Sequence, residues 1–362
     1  MLDRRHFVLG CGSIALEGCS PAAGDRTYDE AAARSRQAFL SDAGSPVPMR
    51  ELVRYATLAP SSHNTQCWTF SIAGQTIVIR PDLSRRCPAV DPDDHHLFVS
   101  LGCAAENLVQ AARAKGLQGD VVFESTPADA LKIVLEPTRA VASPLYLAIP
   151  LRQCTRAEFD GMALSKDELA QLERAGTGPG VKVLLLTEKA ATEGVLEYVV
   201  AGNSQQMSDR AFVSELKKWI RFSDAEAVRA GDGLSTRASG HPSIPRWPAS
   251  PLLGLLLSAD GENDTYAKQV RSSAGIAVFV SDADDKAHWV EAGRSFERFA
   301  LQATALGIRT AFLNQTVEVA TIRPRFASLL GVPGMRPDLV VRFGRGPEMP
   351  RSLRRDVGSV LA

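Results

Sequence analysis

Two stretches of this chain align without a gap, and that match most limits what it can fold into. Asp93–Leu117 and Asp284–Ile308 pair Asp93 with Asp284, Val99 with Val290, Gly102 with Gly293, Glu106 with Glu297, Ala112 with Ala303 and Gly116 with Gly307. Each stretch has helical spacing and follows a β-rich run ending near an Asp, Asp82 in one case and Asp282 in the other. A repeated unit of this size exceeds any solenoid period and points to two fused halves of one ancestral subunit. The faces that dimers bury between subunits are common places to build ligand sites, and here they would lie within one chain.

The 362 residues carry 41 basic and 41 acidic side chains, a balance that offers nothing to nucleic acid. No apolar run approaches the ~18 residues of a membrane-spanning helix. The N-terminus reads separately from the rest. Asp3-Arg4-Arg5-His6-Phe7-Val8-Leu9 resembles a twin-arginine export signal, and Leu16-Glu17-Gly18-Cys19-Ser20 resembles a lipoprotein cleavage box, with Glu17 an awkward fit. Residues 1–26 are therefore expected to be signal and tether, leaving a periplasmic protein or one anchored through Cys19. The alternative is a cytoplasmic tail with a chance arginine pair. The six cysteines show no Cys-x-x-Cys and no zinc spacing, so neither a disulfide nor a metal centre is expected. Asp91-Pro92-Asp93-Asp94-His95-His96 precedes a long helix and reads as an N-terminal cap.

Along the chain, helices are expected at Tyr28–Leu40, Met49–Leu58, Asp94–Lys115 (closed by Gly116), Lys166–Arg174, Thr192–Met207, Arg210–Arg221 and Asp285–Leu306. Strands are expected at Trp68–Ile72, Thr76–Arg80, Val121–Glu124, Leu131–Glu136, Val181–Leu186, Ala274–Val280, Thr310–Leu313 and Leu339–Phe343. The class is α+β, with mixed sheets flanked by helices. The first half spans 27–145 and the second 146–362. Within the second, 223–251 reads as a long irregular, proline-rich insertion, with Trp247 suggesting an ordered cover.

Three segments carry chemistry. Pro60-Ser61-Ser62-His63-Asn64-Thr65-Gln66-Cys67-Trp68 gathers hydroxyls, amides and an imidazole between a helix and a strand. That suits a planar polar ligand, and equally an ordinary capped helix end. Arg152-Gln153-Cys154-Thr155-Arg156 places two guanidinia on one face, fit for a phosphate and a second anionic centre or for a solvated basic surface. Arg345, Arg351, Arg354 and Arg355 form a second basic cluster after a hydrophobic strand, able to grip a phosphate or to be a basic tail.

Taken together these segments resemble the nitroreductase family, FMN-dependent oxidoreductases, and within it the fused Acg-type flavoproteins. The resemblance spans about residues 46–358. It rests on the P-S-S-x-N-x-Q-x-W turn at Pro60–Trp68, the Gly102-x-Ala104-x-x-Asn107 helix, R-x-x-x-R at Arg152 and Arg156, Ala305–Thr310 running into Phe312-Leu313-Asn314-Gln315, and the closing arginine-rich strand. It implies a nitroreductase-like fold in two halves, forming a pseudo-dimer within one chain. It implies FMN bound between them, with Ser61, Ser62, Asn64 and Gln66 from the first half. Arg152 and Cys154 would face the phosphate, Arg156 the N1/O2 edge of the flavin and the Asn314–Gln315 backbone its N5. Arg351 and Arg354 would complete the phosphate pocket. A second site would need R-x-x-x-R before the first turn and a P-S-S-x-N turn after Lys166–Arg174. Arg34-Ser35-Arg36 and Ala175–Gly180 supply neither, so one flavin per chain is expected. Cys67 and Cys154 depart from the family's proline and hydroxyl residue, and a thiol donates more weakly than a hydroxyl.

The function expected is two-electron oxidoreduction through FMN, from a small donor such as NAD(P)H to a nitroaromatic, quinone or similar acceptor, in a monomeric pseudo-dimer. The flavin carries the electrons, so no side chain stands out as a required acid or base. The other reading is a non-enzymatic FMN-sequestering protein with a lid over the ring, favoured if export removes NAD(P)H as donor.

Overall fold

The computed structural model describes residues 22–39, 46–126, 129–247 and 258–362. The N-terminal export and lipidation motifs, including Cys19, lie outside these residues, as does the end of the proline-rich insertion. The first half contains helix α1 (Ala22–Ser35), α2 (Met49–Ala56), the hairpin β1 (Trp68–Ala73) and β2 (Thr76–Pro81), the long helix α3 (His95–Ala114), and strands β3 (Val121–Glu124) and β4 (Ala130–Val134). The second half contains α4 (Lys166–Gly176), β5 (Val181–Leu186), α5 (Lys189–Ser208), α6 (Arg210–Trp219), α7 (Asp224–Ala230), α8 (Ala259–Arg271), β6 (Gly275–Ser281), α9 (Lys286–Ala305), β7 (Arg309–Phe312), α10 (Gln315–Glu318) and β8 (Arg336–Gly344).

The two halves share one topology. The sheets run β1-β2-β4-β3 and β5-β6-β8-β7, corresponding strands in corresponding places. Every pairing between these strands is antiparallel, while parallel bridges of Phe70 with Leu361 and of Cys154 with Thr310 at the sheet edges make both sheets mixed, as expected. In each half the long central helix carries the chain from the second strand across to the far edge of the sheet, so that β3 runs in the same direction as β2 and β7 as β6, each pair separated by one antiparallel strand. Helices α3 and α9 begin and end at aligned residues, His95 with Lys286 and Ala114 with Ala305, and Gly116 and Gly307 beyond them both take left-handed φ (79° and 71°). Such a glycine ends a helix without the Cβ clash other residues would meet.

α3 and α9 cross at the centre of the molecule and share one core with both sheets, including Phe98, Leu101, Phe279, Phe296 and Phe299. Phe279 meets Phe296 and Phe299 edge-on, with ring centroids 5.8 and 5.5 Å apart. In the second half the opposite sheet face is covered too. Ile276, Val278, Val280 and Val340 pack there on Val195, Val199 and Val270 of α5 and α8, so β6 and β8 are buried throughout. Among the described residues the first sheet has no such cover, and Val122 and Val134 are about half exposed on it. The extra length of the second half therefore makes a third layer.

The halves also exchange arms. α1, assigned by sequence to the first half, packs its Tyr28 and Ala32 on Ala227 and Leu353 of the second, and the Tyr28 hydroxyl donates to Arg351 O at 3.0 Å. In return the C-terminus joins the edge of the first sheet, with Phe70 N donating to Val360 O at 2.7 Å and Ala362 N to Phe70 O at 2.8 Å. No helix among the described residues is long and apolar enough to cross a membrane.

Candidate functional site

The turn after α2 is bent by residues in an uncommon conformation. His63, Asn64 and Gln66 have φ of 47°, 54° and 54°, each costing on the order of 1 kcal/mol outside glycine. Bonds from the second half hold them there. Asn64 Nδ2 donates to Gly233 O (3.0 Å), Gln66 Nε2 to Gly231 O (2.8 Å), and Arg355 N to Gln66 Oε1 (2.9 Å). Ser61 Oγ accepts from Gln66 N at 2.9 Å, and Ser62 is half-buried beside it. The amides of Asn64 and Gln66 thus shape the turn.

The carbonyls that end α2 are met by arginines. Arg354 donates through Nε to Thr57 O (2.7 Å), through Nη2 to Leu58 O (3.0 Å) and Ala59 O (3.1 Å), and through Nη1 to Asn64 Oδ1 (3.0 Å). Arg152 Nη2 adds a bond to Leu58 O at 2.9 Å. Cations at this end of a helix complement its dipole. Arg351 Nη1 reaches Leu151 O (2.6 Å), and Arg36 Nη2 reaches Ser352 O (2.9 Å).

Arg36, Arg152, Arg351 and Arg354 crowd one another. Arg36 is pushed down to about 9 by burial, then by Arg351 and Arg152. Arg354 falls well below the usual arginine range through burial and then Arg36 and Arg152. Arg351 is lowered by burial above all, with Arg309 and Arg152 adding to it against the raising effect of Glu348. Within the cluster, Glu297 Oε1 is 3.2 Å from Arg152 Nε, and both side chains are almost wholly buried. Burial holds the Glu297 carboxyl up at about 7 despite Arg152 and the Asn107 amide beside it. Cations this close, with so little negative charge among them, make a site that favours an anion. Arg36 was not among the residues the sequence pointed to. It lay hidden in a predicted helix, whereas α1 stops at Ser35 and leaves Arg36 to fold back into the cluster, its Nη1 on Ala32 O at 3.0 Å.

The other arginine of R-x-x-x-R lies against a different set. The segment runs beside β7, with Cys154 bridged to Thr310, and Thr155 N donates to Thr310 O at 2.9 Å. Cys154 is half-buried, with Arg342 as its electrostatic neighbour. Arg156, 3.5 Å from Ser239 Oγ through Nη1, acts electrostatically on His63 and on Tyr266 of α8. His63 is held down at about 4, by burial first and then by Arg156 and His96. The Tyr266 hydroxyl is raised, chiefly by burial, and lies against the Gln315 amide. On the same short helix Glu318 sits 3.5 Å from His96 Nε2, and its other oxygen accepts from Gln206 Nε2 at 2.7 Å. Burial raises Glu318, with His96 and Gln206 opposing. His63, His96, Arg156, Tyr266, Gln315 and Glu318 thus form one group drawn from both halves.

α10 is seated by a close approach. A Cβ on Gly202 would lie 2.7 Å from Gln315 O, so α5 can pack there only without a side chain. Asn314 Oδ1 accepts from Val340 N at 3.0 Å, fixing the start of α10 on β8. Gln315 Oε1 and Thr316 Oγ1 are buried without hydrogen-bond partners, as are polar atoms that await a ligand.

The pseudo-symmetric position is filled. Glu106, the counterpart of Glu297, accepts from Arg294 Nε (3.2 Å) and Arg298 Nη1 (3.1 Å), and Arg298 Nη2 also reaches Glu291 at 2.8 Å. A Cβ on Gly178 would fall 2.3 Å from Glu291 Oε1 and 2.7 Å from Arg298 Nη2. Paired charges replace the cation cluster there.

The insertion is less irregular than expected and does not cover the site through Trp247, which is 83% exposed. It contains α7 and a short parallel pairing of Ile220–Arg221 with Leu234–Ser235, and Asp232 ties it to Arg85 and Arg221. Asp91 caps α3 as expected, accepting from His96 N and Leu97 N at 3.0 Å each. The four described cysteines are free thiols.

Against known proteins, no family model matches the chain. It is 24% identical over 326 residues, 86% of its own length and 90% of the other's, to "Putative NAD(P)H nitroreductase Rv3131" of Mycobacterium tuberculosis. To "Putative NAD(P)H nitroreductase acg" of the same species it is 23% identical, over 86% of this chain and 95% of that one. Among solved structures, the FMN-dependent nitroreductase NfnB of Mycobacterium smegmatis in complex with NADPH superposes at a TM-score of 0.41, with 15% identity over 60% of this chain and 96% of that one. The likeness to Acg-type nitroreductases read from the motifs thus extends over most of the chain.

Proposed function

We propose that this chain is an FMN-dependent oxidoreductase that binds one flavin between its halves and takes electrons from NAD(P)H. The observation that carries the reading is the division of R-x-x-x-R. Arg152 joins a buried arginine cluster suited to a phosphate, and Arg156 joins the group around Tyr266 and Gln315 suited to a polar ring. The names borne by the two relatives support it.

Bound there, FMN would supply hydride acceptance and donation, the chemistry that side chains lack. Arg36, Arg152, Arg351 and Arg354 hold the phosphate. Some would trade a carbonyl for a phosphate oxygen, which forms the stronger charge-assisted bond. Arg156 places positive charge at the N1/O2 edge and favours an anionic reduced ring. The Asn314–Gln315 backbone would face the ring at N5, and Ser61, Ser62 and Cys154 would line the remainder. Asn64 and Gln66 act by holding the turn. Nitroaromatics and quinones are the acceptor class, and the protein works as a monomeric pseudo-dimer; the NAD(P)H donor goes with the cytoplasmic reading of residues 1–26, and export, with Cys19 as the lipid anchor, would require another donor.

The test is an anaerobic visible spectrum of the purified protein. One equivalent of flavin, bleached by NADPH, is the expected result. Bleaching by dithionite alone would favour an FMN-sequestering protein, and a colourless chain that cannot be reconstituted would overturn the reading. Fractionation of cells expressing the full chain tests the export assignment.

A further inference from the structure

One face of His63 is left unused by the arrangement above. Its Nε2 is buried and has no hydrogen-bond partner. The ring sits on a residue forced to positive φ, and strain of this kind is kept where a side chain must be aimed. It points into a cluster with Cys87, from the loop between β2 and α3, and Glu215, from α6 of the second half. The ligating atoms of the three residues all lie within 4.8 Å of one another.

The surroundings are built rather than incidental. Glu215 accepts Ala89 N and Val90 N, at 3.1 and 3.2 Å, so the carboxylate is oriented by the loop that presents Cys87. Val90, Phe212 and Trp219 pack with Cys87 in a small apolar core of their own. A Cys87 thiolate beside the Glu215 carboxylate, against this apolar core, would be a pair of poorly solvated like charges. A divalent cation removes that conflict. Thiolate, carboxylate and a 2+ ion sum to a neutral unit, and neutral units are the ones an apolar site tolerates.

We propose that His63, Cys87 and Glu215 bind a divalent transition metal of the zinc class, with water in the fourth position. Binding forms the bonds from His63 Nε2, Cys87 Sγ and a Glu215 oxygen to the metal, breaks the Cys87 S–H bond and releases its proton to solvent. Mixed nitrogen, sulfur and oxygen donors with three protein ligands suit this metal. Closing the cluster to bonds of about 2.0–2.3 Å asks for movements of roughly 1 Å. Arg156 and His96 near His63, and Lys218 near Cys87, oppose a cation, while Asp91 favours one. None of them is a ligand, so the two anionic donors in direct contact dominate. The ion would staple the turn and the Cys87 loop of the first half to α6 of the second. The proposal does not rest on the flavin reading.

The test uses the purified chain, stripped with EDTA and titrated with Co2+. Saturation at one equivalent, with a near-ultraviolet thiolate-to-cobalt band that Zn2+ abolishes, is expected. Cys87→Ser should lose the band, Cys154→Ser should keep it, and Glu215→Gln should weaken binding at least about tenfold. Should Cys87→Ser fail to fold, Glu215→Gln decides the matter, since its amide oxygen still accepts from the loop. Absence of the band, or an unchanged titration in the Glu215→Gln protein, overturns the proposal. So does cobalt bound without thiolate character, as the exposed cluster of His288 with Asp282 and Asp285 would bind it. A colourless protein with the cobalt band sinks the flavin reading alone, and a yellow one without it sinks this proposal alone.

Discussion

Gly102 lies directly on the backbone of Val290, where an added Cβ would come within 2.0 Å of the carbonyl oxygen, and Gly293 meets Val99 O at the same 2.0 Å. The contact is reciprocal, as across a twofold axis, though both partners belong to one chain. Cys103 Sγ, 3.2 Å from Gly293 O, closes the crossing. Backbone meets backbone here, so no side chain can move aside. Gly102→Ala and Gly293→Ala should each destabilise the protein by about 3 kcal/mol, at the upper end for overpacking. Chemical denaturation would show it, and a loss under about 0.5 kcal/mol would mean that α3 and α9 do not cross this closely.

Glu297 sets how strongly the arginine cluster attracts an anion. Its folded-state value of about 7 lies above the 4.5 of an ordinary glutamate, so between those values the folded protein binds a proton the unfolded chain has released. The stability so contributed is complete below about 4.5 and lost as pH rises through 7, on the order of 3 kcal/mol. Glu297→Gln, which stays neutral, should match the wild type near pH 4.5 and become progressively more stable than it up to pH 8. At pH 8 it should also bind FMN more tightly, by about tenfold, because Arg152 then faces no carboxylate. Denaturant midpoints and flavin fluorescence titrations at several pH values check both.

Arg36→Ala should weaken FMN binding by about 10- to 100-fold, the equivalent of one charge-assisted hydrogen bond. Arg34→Ala, altering the neighbouring arginine of α1, should leave affinity unchanged. The comparison separates a phosphate contact from a general loss of positive charge. Equal effects of the two substitutions would remove Arg36 from the site.

What could be read from the sequence was whatever local chemistry determines. The twin helices were legible to within one residue at each end because their glycines and apolar positions recur in register, and β5 matched its expected bounds, Val181–Leu186, as a short apolar run. Helix α8 was not legible. Its sequence ADGENDTYAKQVR is mostly polar, and Val270 is its one buried residue, so periodicity had little to act on. Trp247 misled because an aromatic among prolines suggests packing, and here it stands in solvent. The R-x-x-x-R arginines could be named from spacing, but Arg36, Tyr266 and Glu318 reach the site only through long-range packing. The amides of Asn64 and Gln66, read from the motif as ligand contacts, are bonded to the backbone of residues 231–233, a partner that local sequence could not reveal.

Glu318, which the sequence did not single out, is predicted to serve the reaction as an acid. It lies on α10 three residues after Gln315, is raised by burial, and is backed by His96 at 3.5 Å. A carboxyl held above its ordinary range keeps its proton to higher pH than a free glutamate and can donate to an acceptor that gains negative charge with the hydride. Turnover with a quinone should then fall as pH rises through the raised pKa of Glu318. Glu318→Gln should lower turnover by about 100-fold and flatten that pH dependence, while bleaching by NADPH stays as fast. A role in fold alone predicts the opposite pattern, with both rates reduced together and the pH profile kept. Stopped-flow measurement of the two half-reactions across pH distinguishes the cases, and an unchanged profile in Glu318→Gln would remove the acid from the mechanism.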